Sequence, residues 1–400
     1  MHRPILPTAL AALAFAAAAA AAGQLTERPL VRALTNPAIE YATRPTTDAI
    51  ADLDHRIDRG EARLVFEEGT GYLRSVLDAL HLPIDSQMLV MSKTGVQGLH
   101  TGPDNPRAIY FDDSVTVGYI RGAPLLEFAV HDPQQGVIFY TIDQKPQARV
   151  QFDRPTSCLR CHVAYNTLHV PGMIVRSVSI APDGLPLGQF GGYDVDGRTP
   201  FAKRFGGWYV TGSTGSMRHL GNTIAGRDDT PAFDAHAYLS PQSDVAALMV
   251  FAHQSHMTNL ITRLGWESRM GVLAPETVAE FVDYLLFVDE PTLDAPVKGV
   301  SGFAARFQAQ GPADKQGRSF RQLDLEHRLL RYSCSYMIYS AAFRALPDAA
   351  RRDVYRRMWT ILSGGDAAPR DERHARLTAA ERAAVLEILR ETVSDWPDAF

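Results

Sequence analysis

The chain has 400 residues, 46% hydrophobic and 21% charged, with 40 basic and 45 acidic side chains for a formal net charge of −5. That mildly acidic balance argues against nucleic acid as a partner, which would want a basic surface. Only three cysteines occur, so stability must come from an ordinary apolar core rather than a disulfide framework.

At the N-terminus, Arg3 precedes an apolar run from Ile5 to Ala22, mostly alanine, and Ala20-Ala21-Ala22 before Gly23 suits a small-residue cleavage rule. Residues 1–22 therefore read as a secretory signal peptide, and the expected location is periplasmic or secreted. An uncleaved anchor is the alternative. The run is long enough for one, but alanine is only weakly apolar, which favours cleavage. No cysteine follows the run, so a lipoprotein anchor is not expected, and no later stretch is apolar enough to span a bilayer. Removal of residues 1–22 leaves 39 basic against 45 acidic residues, a charge of −6. Roughly 378 residues remain, enough for one large domain or two intimate ones.

Residues 24–50 are rich in Pro and Thr and are expected to drape over the surface. Leu73, Val76, Leu77 and Leu80 recur at helical spacing, predicting a helix over 71–81 that Pro83 stops. From Met88 to about Val150 the texture is β-like. Short strands are expected at 87–91, 108–111 and 115–120, and a hairpin at 125–130 and 137–142 around Asp132-Pro133-Gln134-Gln135-Gly136. Residues 184–222, with Gly191-Gly192-Tyr193 and Gly206-Gly207-Trp208-Tyr209, suggest short strands and tight turns. After about Ser240 the pattern turns helical, at 244–264, 275–288, 323–345 and 348–362, the last ending at Gly364-Gly365. Thr378 and Glu381 have capping-box spacing before a final helix to about Val393. The expected class is α+β, with a β-rich N-terminal half and a helical C-terminal half. The expected divisions are 23–155, 156–230 and 231–400, or one continuous domain from 50 to 400.

Between those halves stands Cys158-Leu159-Arg160-Cys161-His162. C-x-x-C-H is the attachment pattern of a covalent c-type haem. The thiols add to the haem vinyl groups, two intervening residues let both sulfurs reach one macrocycle edge, and the histidine becomes the proximal ligand. A dithiol redox pair would sit at a helix start after a strand, whereas Phe152-Asp153-Arg154-Pro155-Thr156-Ser157 reads as a loop. A zinc site would need a second Cys/His pair, and Cys334 stands alone. The chain resembles c-type cytochromes at this motif, five of 400 residues. The resemblance implies one haem c and an exported monohaem cytochrome. Its late position, after a β-rich region, differs from small helical cytochromes that carry the motif near the start.

The sixth iron position decides the chemistry, and three sets of residues are candidates. Met173 follows a Pro-Gly turn eleven residues after His162, with His169 nearer still; packing in the core is the plainer reading for the methionine. Met249, His253, His256 and Leu260 share one helical face by steps of four, three and four, so His253 and His256 form a candidate distal pair, or else two satisfied core histidines. They could share a second metal, but no acidic partner lies on that face. Met217 and His219 lie in a glycine-rich loop with Arg218, and Arg198, Lys203 and Arg204 are near; such cations suit haem propionates. Asp194-Val195-Asp196-Gly197 resembles the start of a calcium loop without its downstream glutamate. Cys334 is expected to be a buried, inert thiol on a helical face with Leu330, Met337 and Ala341.

Single-electron transfer to a redox partner protein, or to a small-molecule donor or acceptor, is the expected function. The chain length keeps a haem enzyme acting on peroxide or a small molecule as the alternative, with His253 and His256 on its distal side. A haem-based ligand sensor ranks third.

Overall fold

The computed structural model describes residues 34–188, 192–226, 233–364 and 372–397. The expected signal peptide, Gly191 and Gly365 lie outside these.

The α+β expectation holds. Six antiparallel strands, β1 (Met88–Val90), β2 (Arg107–Phe111), β3 (Val115–Tyr119), β4 (Leu125–Asp132), β5 (Gly136–Asp143) and β8 (Trp208–Tyr209), form a sheet in the order β5-β4-β3-β2-β1-β8. The Asp132-to-Gly136 turn closes the expected hairpin, with Leu126 opposite Ile142 and Val130 opposite Ile138. Gly136 sits at φ +85°, where a side chain would be strained and its Cβ would meet Thr262 at 2.4 Å. A separate ribbon pairs β6 (Arg176–Ser177) with β7 (Tyr193–Asp194).

Side chains alternate across a strand, so the sheet has two chemically distinct faces. Leu126, Phe128 and Val130 of β4 are buried on the first face, with Val117 and Tyr110 beside them. Helices α1 (Ala49–Asp58) and α2 (Leu73–Ala79) supply Ile50, Leu53, Leu73 and Val76 to the same core. The second face carries Arg107, Thr116, Gly118, Glu127, Ala129 and Thr141, which are partly buried, and Ile109, Phe111 and Phe139, which are buried, Ile109 and Phe111 in the core of the helical half.

Residues 34–58 correct the expected surface drape. Ile39 and Tyr41 are fully buried in the first-face core, and the Tyr41 hydroxyl donates to the Val137 carbonyl at 2.8 Å. The α1 sequence AIADLDHRID is too polar to signal a helix by apolar periodicity; Asp48 starts it by accepting from the amides of Ile50 and Ala51.

In the helical half, α4 (Val245–Arg269) is buried almost along its whole length. Asp244 caps it, accepting from Ala246 N–H with one oxygen and from Val300 N–H, Ser301 N–H and Ser301 Oγ with the other. α5 (Pro275–Leu285), α6 (Phe303–Ala309) and α8 (Asp348–Ser363) pack around it, and α9 (Ala379–Thr392) packs on α8 and carries the expected Thr378/Glu381 capping box. The expected helix over 323–345 is not formed. Leu325 adopts φ +59°, Leu323 bridges back to Leu330, and only a turn at Tyr336–Tyr339 and the short α7 (Ala341–Arg344) are helical. Ser335 and Ser340 cap these turns, the local backbone bonding that competes with a continuous helix. Cys334 is nevertheless fully buried, and burial pushes its thiol pKa up strongly. Among the described residues, no helix is long and apolar enough to cross a membrane.

Candidate functional site

Cys158 and Cys161 bracket the single-turn helix α3 (Leu159–His162), entered through a tight turn at Thr156–Cys158. The segment is tied to edge strand β5 at two points. Thr141 and Asp153 exchange backbone hydrogen bonds of 2.9 Å, and the Val137 amide donates to the Pro171 carbonyl at 3.2 Å. Between these ties the chain arches past Phe139, a second-face residue whose ring centroid lies 4.4 Å from that of His162. Arg154 fixes the approach by donating to the Tyr41 carbonyl and, at 2.7 Å, to Gln135 Oε1. Leu159, Val163 and Val170 turn into the core. Both thiols are free, Cys161 exposed and Cys158 half-buried. Burial raises the Cys158 pKa, and the Glu127 carboxylate adds to the effect.

His162 Nδ1 lies 2.8 Å from the Gly172 carbonyl oxygen. A carbonyl only accepts, so Nδ1 carries the proton and Nε2 keeps its lone pair. Burial holds the imidazole pKa below its usual value, against the Gly172 bond and with help from the Arg107 charge. The result is a neutral imidazole, oriented by its far nitrogen, which is the form that ligates a metal. Gly172 returns its amide to the His162 carbonyl at 3.0 Å.

The Gly172 turn is itself clamped from α4. Asn259 Oδ1 accepts from Met173 N–H at 2.7 Å, and its Nδ2 donates to the Met173 carbonyl at 2.8 Å. A Cβ on Gly172 would stand 2.3 Å from Asn259 Oδ1, so only glycine fits. The Met173 side chain lines a small cleft between α4 and the second face, with Thr116, Ala129, His131, Ser255 and Thr258. The Ser255 hydroxyl is buried there and has no hydrogen-bond partner among the described residues.

The other nominated residues lie elsewhere. Thr262, on the Asn259 side of α4, follows His253 by about two and a half turns, which sets the two on opposite sides of the helix. His253 Nε2 is 2.7 Å from Ser335 Oγ, and its ring stacks on Tyr284 and Phe287. His256 Nε2 lies 3.0 Å from Arg198 Nη2, and Arg198 bonds Asp196 at 2.6 Å and covers the Tyr284 ring. Burial pushes the pKa of His253 down to about 3 and that of His256 to about 4. The structure therefore gathers His253, His256, Arg198 and Asp196 into one cluster, His253 buried and the others partly so, and groups Met173 instead with His162. Arg204 is buried on the Gly197 and Thr199 carbonyls. Arg218 is exposed in a loop where Gly215 approaches Ala295 and Pro296, His219 packs on Phe201 and Phe205, and Met217 packs on the helical core. The paired acids of 194–197 are held by cations, Asp194 by Arg176 and Asp196 by Arg198. His169 sits at φ +60° with its ring against Tyr165.

Sequence reasoning missed Gly172, Asn259, Phe139 and the Arg107/Glu127 pair. A Pro-Gly turn ten residues past the histidine was the one available signal. Haem fits the residues present. Two unbridged thiols flank a helical turn, and a neutral imidazole presents an unprotonated Nε2. No protein-family model, curated protein or solved structure matches the chain.

Proposed function

We propose that the chain carries one haem c, bound through Cys158 and Cys161 with His162 as proximal ligand, and serves single-electron transfer outside the cytoplasm. The observation that carries this reading is the Nδ1–H of His162 held by the Gly172 carbonyl at 2.8 Å. A hydrogen bond of that kind fixes the tautomer, aims Nε2 and raises its basicity. When bound, haem supplies a one-electron couple at the iron. The protein's part is to tether, orient and tune. The two thiols fix the macrocycle, β5 and Asn259 hold the histidine's support, and Phe139 limits rotation of the ring. Transfer to a redox protein or to a small donor or acceptor is open to this arrangement.

A second reading, a haem enzyme acting on a small molecule, draws support from the polar cleft beside Met173, where Ser255 has an unpartnered hydroxyl.

The test is expression of the full chain with a c-type maturation system, followed by mass measurement and visible spectra of both redox states. A mass increase of one haem and a low-spin spectrum unchanged by cyanide or carbon monoxide are expected. A high-spin, ligand-binding spectrum would favour the enzyme. Absence of covalent haem would overturn the proposal.

A further inference from the structure

We infer that Arg107 is the anchor for a haem propionate, a role that rests on the haem reading above. Arg107, partly buried, lies on the second face of β2, the same face as Phe139, against which His162 packs. Glu127, its partner, stands opposite Thr141 of β5, two residues from Phe139 and the point at which Asp153 ties the motif segment to the sheet. The ion pair therefore shares the face that His162 packs against, across the strand that separates β2 from β4.

The pair is built to stay in place. Arg107 Nη1 and Glu127 Oε2 are 3.4 Å apart, spanning β3 at Gly118, where a Cβ would stand 3.4 Å from Glu127 Oε2 and 3.8 Å from Arg107 Cδ. On the other side, a Cβ on Gly95 would stand 2.5 Å from Arg107 Nη1. Gln97, almost wholly buried, donates to Glu127 Oε1 at 3.1 Å and to the Leu125 carbonyl at 3.0 Å, and accepts from Leu125 N–H. Two glycines and one glutamine thus clear and fix the space around one guanidinium.

That guanidinium is under-used. Its one hydrogen bond among the described residues is the long contact from Nη1, which leaves Nε and Nη2 as a free two-donor edge. Such an edge matches a carboxylate in a bidentate pair, and Glu127 fills only the Nη1 side. The cations that the sequence offered first are engaged or distant: Arg198 is spent on Asp196 and His256, Arg204 on backbone carbonyls, and Arg218 lies in the loop near 295–296. A haem tethered at Cys158 and Cys161 brings two propionates of its own, so the ligand is supplied by the tether rather than by free solution.

The readout is the midpoint potential of the haem-loaded protein as a function of pH. A propionate paired with Arg107 stays ionised through the neutral range, and the potential of the native protein is expected to be flat from about pH 5 to 8. In Arg107→Gln the propionate pKa rises into that range, and the potential acquires a downward slope with increasing pH. Arg107→Lys is expected to restore most of the flat profile. Glu127→Gln leaves the guanidinium in place and should shift the potential upward without adding a slope. It also keeps the test alive if the glutamine variant fails to fold. Covalent haem with a flat, unshifted profile in Arg107→Gln would overturn the inference while leaving haem attachment intact. Native protein without covalent haem would instead remove the reading beneath it.

Discussion

His162 and Gly172 hold each other twice: the imidazole Nδ1–H donates to the glycine carbonyl at 2.8 Å, and the glycine amide donates to the histidine carbonyl at 3.0 Å. The nine-residue loop between them is thereby closed on its own chemistry. Gly172→Ala should break this closure, because the new Cβ would stand 2.3 Å from Asn259 Oδ1. Asn259 is buried and engaged at both ends, so it cannot move aside freely. A loss of about 1–3 kcal/mol is expected in urea unfolding of the full chain. In the haem-loaded protein a weakened Nδ1 bond should also raise the midpoint potential, since a less basic imidazole stabilises the oxidised iron less. An unchanged potential would mean that the Gly172 carbonyl does not tune the ligand.

Asn259→Leu separates the support from the loop itself. It removes the acceptor of the Met173 amide and the donor to the Met173 carbonyl, leaving two backbone groups unpaired at a partly buried site. Destabilisation on the order of 2 kcal/mol is expected. The loss should appear as faster hydrogen exchange around 170–173, with β2 to β4 unaffected. Uniform loss of protection across the sheet would show that Asn259 supports the whole packing of α4 instead.

The sheet was legible in the sequence because β3 and β4 alternate, β1, β2 and β5 are runs of apolar and β-forming residues, and the β4–β5 turn carries its own residues. Asp132 and Gly136 closed the β4–β5 hairpin as the composition suggests. Helix α1 was not, because only Ile50 and Leu53 of its ten residues are buried. The misreading of 323–345 has a similar origin: spacing placed Leu330, Cys334 and Met337 on one face, but serine capping and a left-handed Leu325 broke the chain into turns. At the candidate site Cys158, Cys161 and His162 are contiguous, so the sequence alone places them together. Arg107 and Glu127 could not be placed so, because their meeting depends on the register of three strands. The stripe of Met249, His253, His256 and Leu260 illustrates a further limit: helical spacing says which residues share a face, but not what that face meets.

Stability should depend on pH in opposite senses through two sets of buried groups. Burial depresses His131 and His256 to about 4 and His253 to about 3, below an unfolded value of 6.5. Between those values the unfolded chain binds more protons, so their contribution is complete above about pH 6.5 and is lost as pH falls toward 4. Glu290 is the reverse case, raised by burial from 4.5 to about 7. Its contribution is complete below about pH 4.5 and is lost as pH rises through 7. Glu290→Gln keeps an acceptor for the Leu329 amide and should stabilise the protein by about 3 kcal/mol at pH 8, with little change at pH 4. Equal effects at the two pH values would show that Glu290 is not ionising in the fold.

His253 and His256 provide the sharpest test of which side of α4 would face the proposed haem. His253 is fully buried, stacked on Tyr284 and Phe287, and bonded to Ser335, half a helical circumference from the Thr262 side. His253→Ala should therefore open a cavity and leave the Ser335 hydroxyl with Met337 N–H as its remaining partner, a loss of about 2–4 kcal/mol. The visible spectrum of the haem-loaded protein should not change, because no atom of that ring is on the His162 side. His256→Ala should release Arg198 and Asp196 from their shared contact and destabilise less, since the ion pair at 2.6 Å remains. A spectral shift in either variant would place that histidine at the iron and require α4 to present a different face to the motif.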